Sequence, residues 1–153
     1  MVLSKGRVRL LRRDSGREVT LGYGVAGELL GEMALVGGAS DLEIVATEEI
    51  EAAAIPLAPV QELMREDGDF ACRLFGVASE RRHRAEDRVF ALLTRPVESR
   101  VVDFLLWAAA QHGVPDSRGT LIGVKFTHRE IASYVGSTRE TVTLTLGDLK
   151  RNG

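Results

Sequence analysis

Phe126-Thr-His-Arg-Glu-Ile-Ala-Ser-Tyr-Val-Gly-Ser-Thr-Arg-Glu-Thr-Val-Thr-Leu-Thr-Leu-Gly-Asp-Leu-Lys150 is the stretch whose reading decides the fold. Thr127 is followed three residues later by Glu130, the spacing at which a hydroxyl and a carboxylate cap a helix start reciprocally. Ile131, Tyr134 and Val135 then fall on one helical face, and Gly136 can take the positive φ that stops a helix. Ser137 and Glu140 repeat the capping spacing at once, so a second helix is expected with almost no linker. Val142, Leu146 and Leu149, at i, i+4 and i+7, give that helix a buried side, while Thr138, Arg139 and Glu140 open its other side as polar. Two helices so joined, the second presenting polar residues at its N-terminus, have the layout of a helix-turn-helix that enters the major groove of DNA. An ordinary αα-hairpin in a core is the competing reading.

Outward from this stretch, the chain has 153 residues and a net charge of −2, enough for one domain or two small ones. The small net charge hides a segregation. Lys5, Arg7, Arg9, Arg12, Arg13 and Arg17 lead the chain, whereas from Glu28 to Asp69 the only basic residue is Arg65. Arginines dominate again from Arg81 to Arg100, and Lys125 to Arg151 is mildly basic. Only a docking face has to be basic for DNA to bind, so the overall balance does not exclude it. The single cysteine, Cys72, rules out an internal disulfide and cannot alone hold zinc or an iron–sulfur cluster. Without an apolar run near 18 residues or a signal-peptide core, no membrane partner and a cytoplasmic location are expected. No catalytic constellation and no metal-ligand spacing is present in the sequence, so an enzyme is not expected.

Ahead of the helix-turn-helix, short strands are expected at Arg7–Leu11, Glu18–Tyr23, Asp41–Thr47 and Ile50–Ile55, the first two joined through a turn at Asp14-Ser15-Gly16. Gly22, Gly24 and Gly27 suit a bending sheet. Gly27 to Leu35 reads as a strand leading into a helical turn, and residues 37–40 as a loop. A short helix with Pro59 in its first turn ends at Asp67-Gly68; Asp69 is expected to cap a long helix reaching about Leu93. On it Ala71, Phe75, Ala78, Arg82, Ala85, Val89 and Leu92 form a heptad seam, the pattern of a helix that pairs with its twin. Arg82 interrupts the seam, with its stem expected to pack while the guanidinium reaches water. Val97 to His112 reads as a helix with Trp107 in a packing role, 114–119 as a loop, and Leu121 to Phe126 as a strand.

These residues together resemble the Crp/Fnr superfamily of bacterial transcription regulators over essentially the whole chain. The stretches that carry the likeness are Lys5-Gly6 with the basic hairpin, Gly-Glu-Leu-Leu-Gly-Glu-Met-Ala-Leu at Gly27 to Leu35, the long helix, Val97 to Gln111, and Thr127 to Lys150. The run from Val135 to Val142, with Phe104 to Pro115, is most similar to the nitrogen-control branch. The resemblance implies an α+β chain: a partial β-barrel (a double-stranded β-helix of the cyclic-nucleotide-binding type) over 1–68, a dimerisation helix over 69–95, and a helix-turn-helix domain over 96–153. Its barrel would lack opening strands and its DNA-binding domain the hairpin wing, leaving sheet edges open.

The resemblance further implies a homodimer through residues 71–92 that reads a palindromic promoter site in double-stranded DNA, with RNA polymerase as a further partner. Arg139 would donate to guanine and Glu140 accept from cytosine, with Leu144 standing where many relatives carry a second arginine. Thr127, Ser137, Thr138, His128, Arg129 and Lys125 would hold phosphates. For an effector, Gly31, Glu32, Arg81, Arg82 and Glu86 are the candidates. Cyclic AMP is not expected, because Ser40-Asp41-Leu42-Glu43 replaces the family's phosphate-clamping Arg-Ser, and Ala85-Glu86 its base-contacting pair. Neither haem nor an iron–sulfur cluster is expected. An anionic metabolite and effector-independent action both remain open, as does an effector-binding or dimerisation module without DNA binding of its own.

Overall fold

The computed structural model describes residues 1–38 and 40–152. Two compact units divide the chain, Met1–Asp87 and Arg88–Gly153.

The first unit is built on antiparallel sheets. β1 (Val2–Lys5) pairs with β5 (Glu51–Ala53), and the central strand β2 (Arg7–Asp14) lies between β3 (Arg17–Val25) and β4 (Glu43–Ala46). The turn between β2 and β3 falls at Ser15-Gly16, both at positive φ, where the sequence places it. The register of this hairpin slips between Leu10 and Leu11: Leu10 faces Gly22 while Leu11 faces Thr20. The extra residue is the bulge that bends a strand, which accounts for the curvature expected of the glycine-punctuated stretch. Leu3, Val8, Leu10 and Leu30 form the core, with Met1, Leu42 and Ile50 against it. Among the described residues the sheets do not close into a barrel.

Several sequence expectations are corrected here. Val2–Lys5 is a strand that the sequence pattern did not indicate. Gly27 to Leu35 contains no strand but one bridge, Val2 to Leu29, followed by a 3-10 turn at Glu32–Val36. The backbone there is tied to the start of the chain by separate bonds, Gly27 N–H to Leu3 O and Leu30 N–H to Met1 O, without forming a named strand. The loop expected over 37–40 includes Ala39, which lies outside the described residues.

Helix α1 (Leu57–Glu66) ends at Asp67 and α2 (Gly68–Thr94) follows without a linker. The carboxylate that accepts from the first turn belongs to Asp67, whose Oδ1 takes the Phe70 N–H at 2.9 Å, so Asp67 rather than Asp69 fills the capping role. No described helix is long and apolar enough to cross a membrane.

The second unit contains the end of α2, α3 (Val97–His112), a hairpin of β6 (Gly113–Asp116) and β7 (Gly119–Ile122), α4 (His128–Val135) and α5 (Arg139–Asn152). The hairpin replaces the loop expected at 114–119 and ends the expected 121–126 strand early. Cross-strand bonding from Gly113–Ile122 to Asp116–Gly119 satisfies backbone groups in a stretch whose Pro115 and Gly119 suggested only a turn. Val101, Phe104, Ala108, Ile131, Ala132, Val135 and Val142 are buried together in this unit. Each of the larger side chains, the valines, Ile131 and Phe104, contributes about 1.5–3 kcal/mol. Phe104 sits edge-on to Phe126 at 5.0 Å and beside Tyr134 at 5.2 Å, and Trp107 stacks on Tyr134 at 6.2 Å. Trp107 therefore belongs to a packed ring cluster.

Candidate nucleic-acid interface

α4 starts as its sequence dictates. The Thr127 hydroxyl accepts from Glu130 N–H at 3.1 Å, and Thr127 N–H donates to the Glu130 carboxylate at 2.7 Å. Both halves of a capping box are formed. Ile131, Ala132 and Val135 are buried, and Gly136 takes φ +65°. Gly136 and Ser137 both donate their N–H groups to the Ala132 carbonyl, closing the helix end. The positive φ is what favours glycine here; a Cβ would also lie 2.7 Å from a Leu92 methyl, which that side chain's end would have to yield.

The second helix starts one residue later than the sequence suggested. Thr138, not Ser137, caps α5: its hydroxyl accepts from Thr141 N–H at 3.1 Å and lies 2.8 Å from the Thr141 hydroxyl. The Ser137–Glu140 box is not formed, because α5 begins at Arg139 and its third position is Thr141. Glu140 is thereby released from capping. Val142 is fully buried and Leu146 and Leu149 half-buried, which seats the helix on its apolar side. Arg139, Glu140, Thr143 and Leu144 are exposed, Leu144 by 69%. Among the described residues no ion pair or side-chain hydrogen bond occupies the Arg139 guanidinium or the Glu140 carboxylate. A guanidinium and a carboxylate, unspent and adjacent on the first turn of a seated helix, form a donor fork beside an acceptor.

The flanking polar residues divide into two sets. Thr127 and Thr138 spend their hydroxyls on caps, and the His128 ring Nδ1 lies 2.7 Å from the Thr143 hydroxyl, which also donates to the Arg139 carbonyl at 2.8 Å. His128 thus ties α4 to α5. Arg129 and Lys125 are exposed, and Ser137 is half-buried in the turn.

Two arginines that the sequence reading did not assign to this site hold it in place. Arg88 on α2 donates to the Tyr134 carbonyl at 2.5 Å and lies over the Tyr134 ring at 4.4 Å. Arg100 on α3 donates to the Leu92 and Arg95 carbonyls at 2.9 and 3.2 Å, and to Gly136 at 3.5 Å. They satisfy the last carbonyls of α2 and of α4. Arg88 and Tyr134 are 46 positions apart and Arg100 and Gly136 36 apart, so no local spacing could have signalled them.

The effector candidates, all in the first unit, are only partly gathered. Arg81 donates to both Glu32 carboxylate oxygens at 2.7 Å and to the Leu29 carbonyl at 2.7 Å, beside Gly31 at φ +81°. Glu28 lies 3.9 Å from Arg81 and 3.4 Å from Arg84. Arg82 and Glu86 form an ion pair with each other on the exposed side of α2, and among the described residues neither is bonded to Gly31, Glu32 or Arg81. The reason is angular: Arg81 and Arg82 project about 100° apart on one helix. Asp41 is paired with Arg12 at 2.9 Å, and Glu43 with Arg13. The hydrogen bond that Arg13 donates to Glu18, and next the charge of Glu43, raise the Arg13 pKa above its ordinary value.

Two family models match the chain, a Crp-like helix-turn-helix domain over residues 99–153 and a cyclic nucleotide-binding domain over residues 1–67. The chain is 35% identical to the global nitrogen regulator of Synechocystis over 152 residues, covering 97% of this chain and 68% of that protein. It is 31% identical to the cAMP-activated global transcriptional regulator Vfr of Pseudomonas aeruginosa, covering 97% of this chain and 72% of that protein. Among solved structures, TTHB099 of Thermus thermophilus, a CRP-family transcriptional regulator, superposes with a TM-score of 0.81 at 27% identity, covering 99% of this chain and 75% of that one.

Proposed function

The chain belongs to the Crp/Fnr family of DNA-binding transcription regulators, and from that premise we propose that it acts in the cytoplasm as a homodimer reading a palindromic promoter site. The observation that carries the reading is the unspent Arg139–Glu140 pair on the first turn of α5, a helix whose opposite side is held by buried Val142. Arg139 donates as a fork to guanine O6 and N7, and Glu140 accepts from cytosine N4. Leu144, one turn on, offers an apolar contact such as a thymine methyl, so the half-site differs at that base from one read by a second arginine. Lys125, Arg129 and Ser137 hold phosphates, with Thr127, Thr138 and His128 at the same edge. Two copies space their half-sites by about 34–36 Å, one turn of DNA. RNA polymerase is the natural further partner of a regulator so placed.

Selection of bound duplexes from a random pool, followed by gel shift of the recovered palindrome, tests this. Binding weakens steeply between 50 and 200 mM salt as phosphate contacts are screened. Absence of any selected site and of any shift at low salt would return the chain to an effector-binding or dimerisation module without DNA binding of its own.

For the first unit we infer effector-independent action over sensing of an anionic metabolite. Arg81, the basic candidate beside Gly31, already carries a two-pronged contact to Glu32 and a carbonyl acceptor. Cyclic AMP fits poorly, because Asp41 and Glu43 stand where a phosphate clamp would be needed. Neither cyclic AMP nor a small dicarboxylate should change the affinity for the selected site; a shift with either would overturn this part.

A further inference from the structure

His128 is the first residue of α4, directly after the Thr127 cap, and it is exposed. Its ring Nδ1 lies 2.7 Å from the Thr143 hydroxyl on α5, and the same hydroxyl lies 2.8 Å from the Arg139 carbonyl. A carbonyl oxygen can only accept, and a threonine hydroxyl has one proton to give. Thr143 therefore donates to Arg139, and its lone pair is what meets the ring. Nδ1 has to carry a proton for that contact to be a hydrogen bond, whether the ring is neutral or charged. The Arg139 carbonyl thereby fixes the tautomer through one hydroxyl, and the proton that comes and goes with pH is confined to Nε2.

Among the described residues no hydrogen bond or ion pair occupies Nε2. A neutral ring in this tautomer turns a lone pair to solvent there, which repels a phosphate oxygen. The imidazolium presents an N–H and a positive charge instead, the kind of donor a phosphate accepts best. A ring free to exchange tautomers could offer Nε2–H even when neutral, and the Thr143 contact removes that option.

Helix α4 packs on α5 and α3. On α5, Arg139 and Glu140 stand four and three positions before Thr143 and are exposed. On α4 itself Arg129 is exposed and the Glu130 carboxylate is held by Thr127, with Lys125 exposed just ahead of the helix. On α3, Glu98 is exposed, Arg100 is bonded to carbonyls, Asp103 to Arg95, and His112 lies against Trp107 and Phe126. Apart from the packed His112, none of these is a side-chain type that ordinarily changes charge between about pH 5 and 8.

We propose that His128 binds a DNA phosphate only as the imidazolium, taking up a proton at Nε2 as the duplex docks. This rests on the DNA-binding reading and deepens it: each protomer gains one phosphate contact whose strength is set by pH. One proton enters each ring from the solvent and nothing else is transferred. The gain in affinity is present at low pH and is lost as pH rises and the ring in the complex gives up that proton.

The full chain and the palindromic duplex recovered by selection are titrated by fluorescence anisotropy at about pH 6 and about pH 8. Wild type should bind about tenfold more tightly per protomer at the lower pH, the size of one charged hydrogen bond. The logarithmic dependence of affinity on salt should also be steeper there by about 0.9 per protomer, since the charged ring displaces one more counterion. His128→Gln should abolish both differences, and His128→Arg should keep the steeper slope at both pH values. In the free chain at the higher pH, nitrogen NMR of ring-labelled histidine should show a proton on Nδ1 and none on Nε2, for the signal that His128→Gln removes. Thr143→Val, at an exposed position, should let that signal relax to a mixture of tautomers.

An affinity that does not change with pH, or that changes equally in His128→Gln, would overturn the proposal and leave the DNA-binding reading intact. So would a neutral ring with its proton on Nε2, or a pH effect with an unaltered salt slope, which would assign the ring to a base. Failure to bind any duplex at either pH would overturn the DNA-binding reading itself.

Discussion

Arg139 and Arg81 are two arginines in the same chain, each beside a glutamate, and they have opposite fates. Arg139 stands next to Glu140 in sequence, yet both project from the first turn of α5 unspent. Arg81 lies 49 residues from Glu32, yet binds both its oxygens and a carbonyl as well. The first unit repeats the pattern at its hairpin, where Arg12 takes Asp41 and Arg13 takes Glu18 and Glu43. A surface that reads a ligand has to leave donors and acceptors unsatisfied until the ligand comes. A site whose charges answer one another has little left to offer an anion. On this comparison the second unit keeps a donor fork and an acceptor unspent on α5, whereas the first spends these arginines on its own carboxylates.

Phe104→Ala breaks the comparison at its root and should have the largest effect. The ring is buried at 1% exposure among Phe126, Tyr134 and Trp107, and its loss should cost about 3–5 kcal/mol. Denaturant unfolding should show the transition of the second unit shifted, and that of the first unchanged.

Arg139→Ala comes next. It should lower affinity for the selected site by about 1–3 kcal/mol and relax the preference at one base pair, with unchanged thermal stability. Equal weakening on all sequences would assign Arg139 to a phosphate instead. Thr127→Ala removes the hydroxyl half of the α4 capping box and should destabilise the second unit by about 1 kcal/mol, read as a lower midpoint in denaturant. Arg12→Ala should change least, about 0–1 kcal/mol, since its bond to Asp41 is exposed on both sides. A larger loss of stability would show the hairpin charges to be more than a solvated surface.

Much of the second unit was legible in the sequence because its determinants are local. The Thr127–Glu130 box acts over three residues, Gly136 terminates by its own φ, and the buried face of α5 recurs at helical spacing. Where local reading failed, two neighbouring residues offered the same chemistry. Ser137 and Thr138 can each cap α5, and Asp67 and Asp69 can each cap α2; sequence alone does not choose between them. The hairpin at Gly113–Ile122 escaped because Pro115 and Gly119 disguise it as a turn. In the first unit four strands were found, but Val2–Lys5 and the partners of every strand were not.

The sequence by itself determined the helices, the β2–β3 hairpin and the stop at Gly136, since those choices rest on capping, periodicity and backbone freedom within a few residues. It also determined that the first turn of α5 carries an arginine beside a glutamate. Only the tertiary structure decided that Arg81 is consumed by Glu32, that Arg88 and Arg100 grip the carbonyls at Tyr134 and Gly136, and that on α2 Ala71, Ala78 and Leu92 are half-buried while Phe75, Val89 and Leu93 stay exposed. A helical period leaves several faces open to burial. Which one is covered depends on contacts between residues tens of positions apart, and the chain acquires those only on folding.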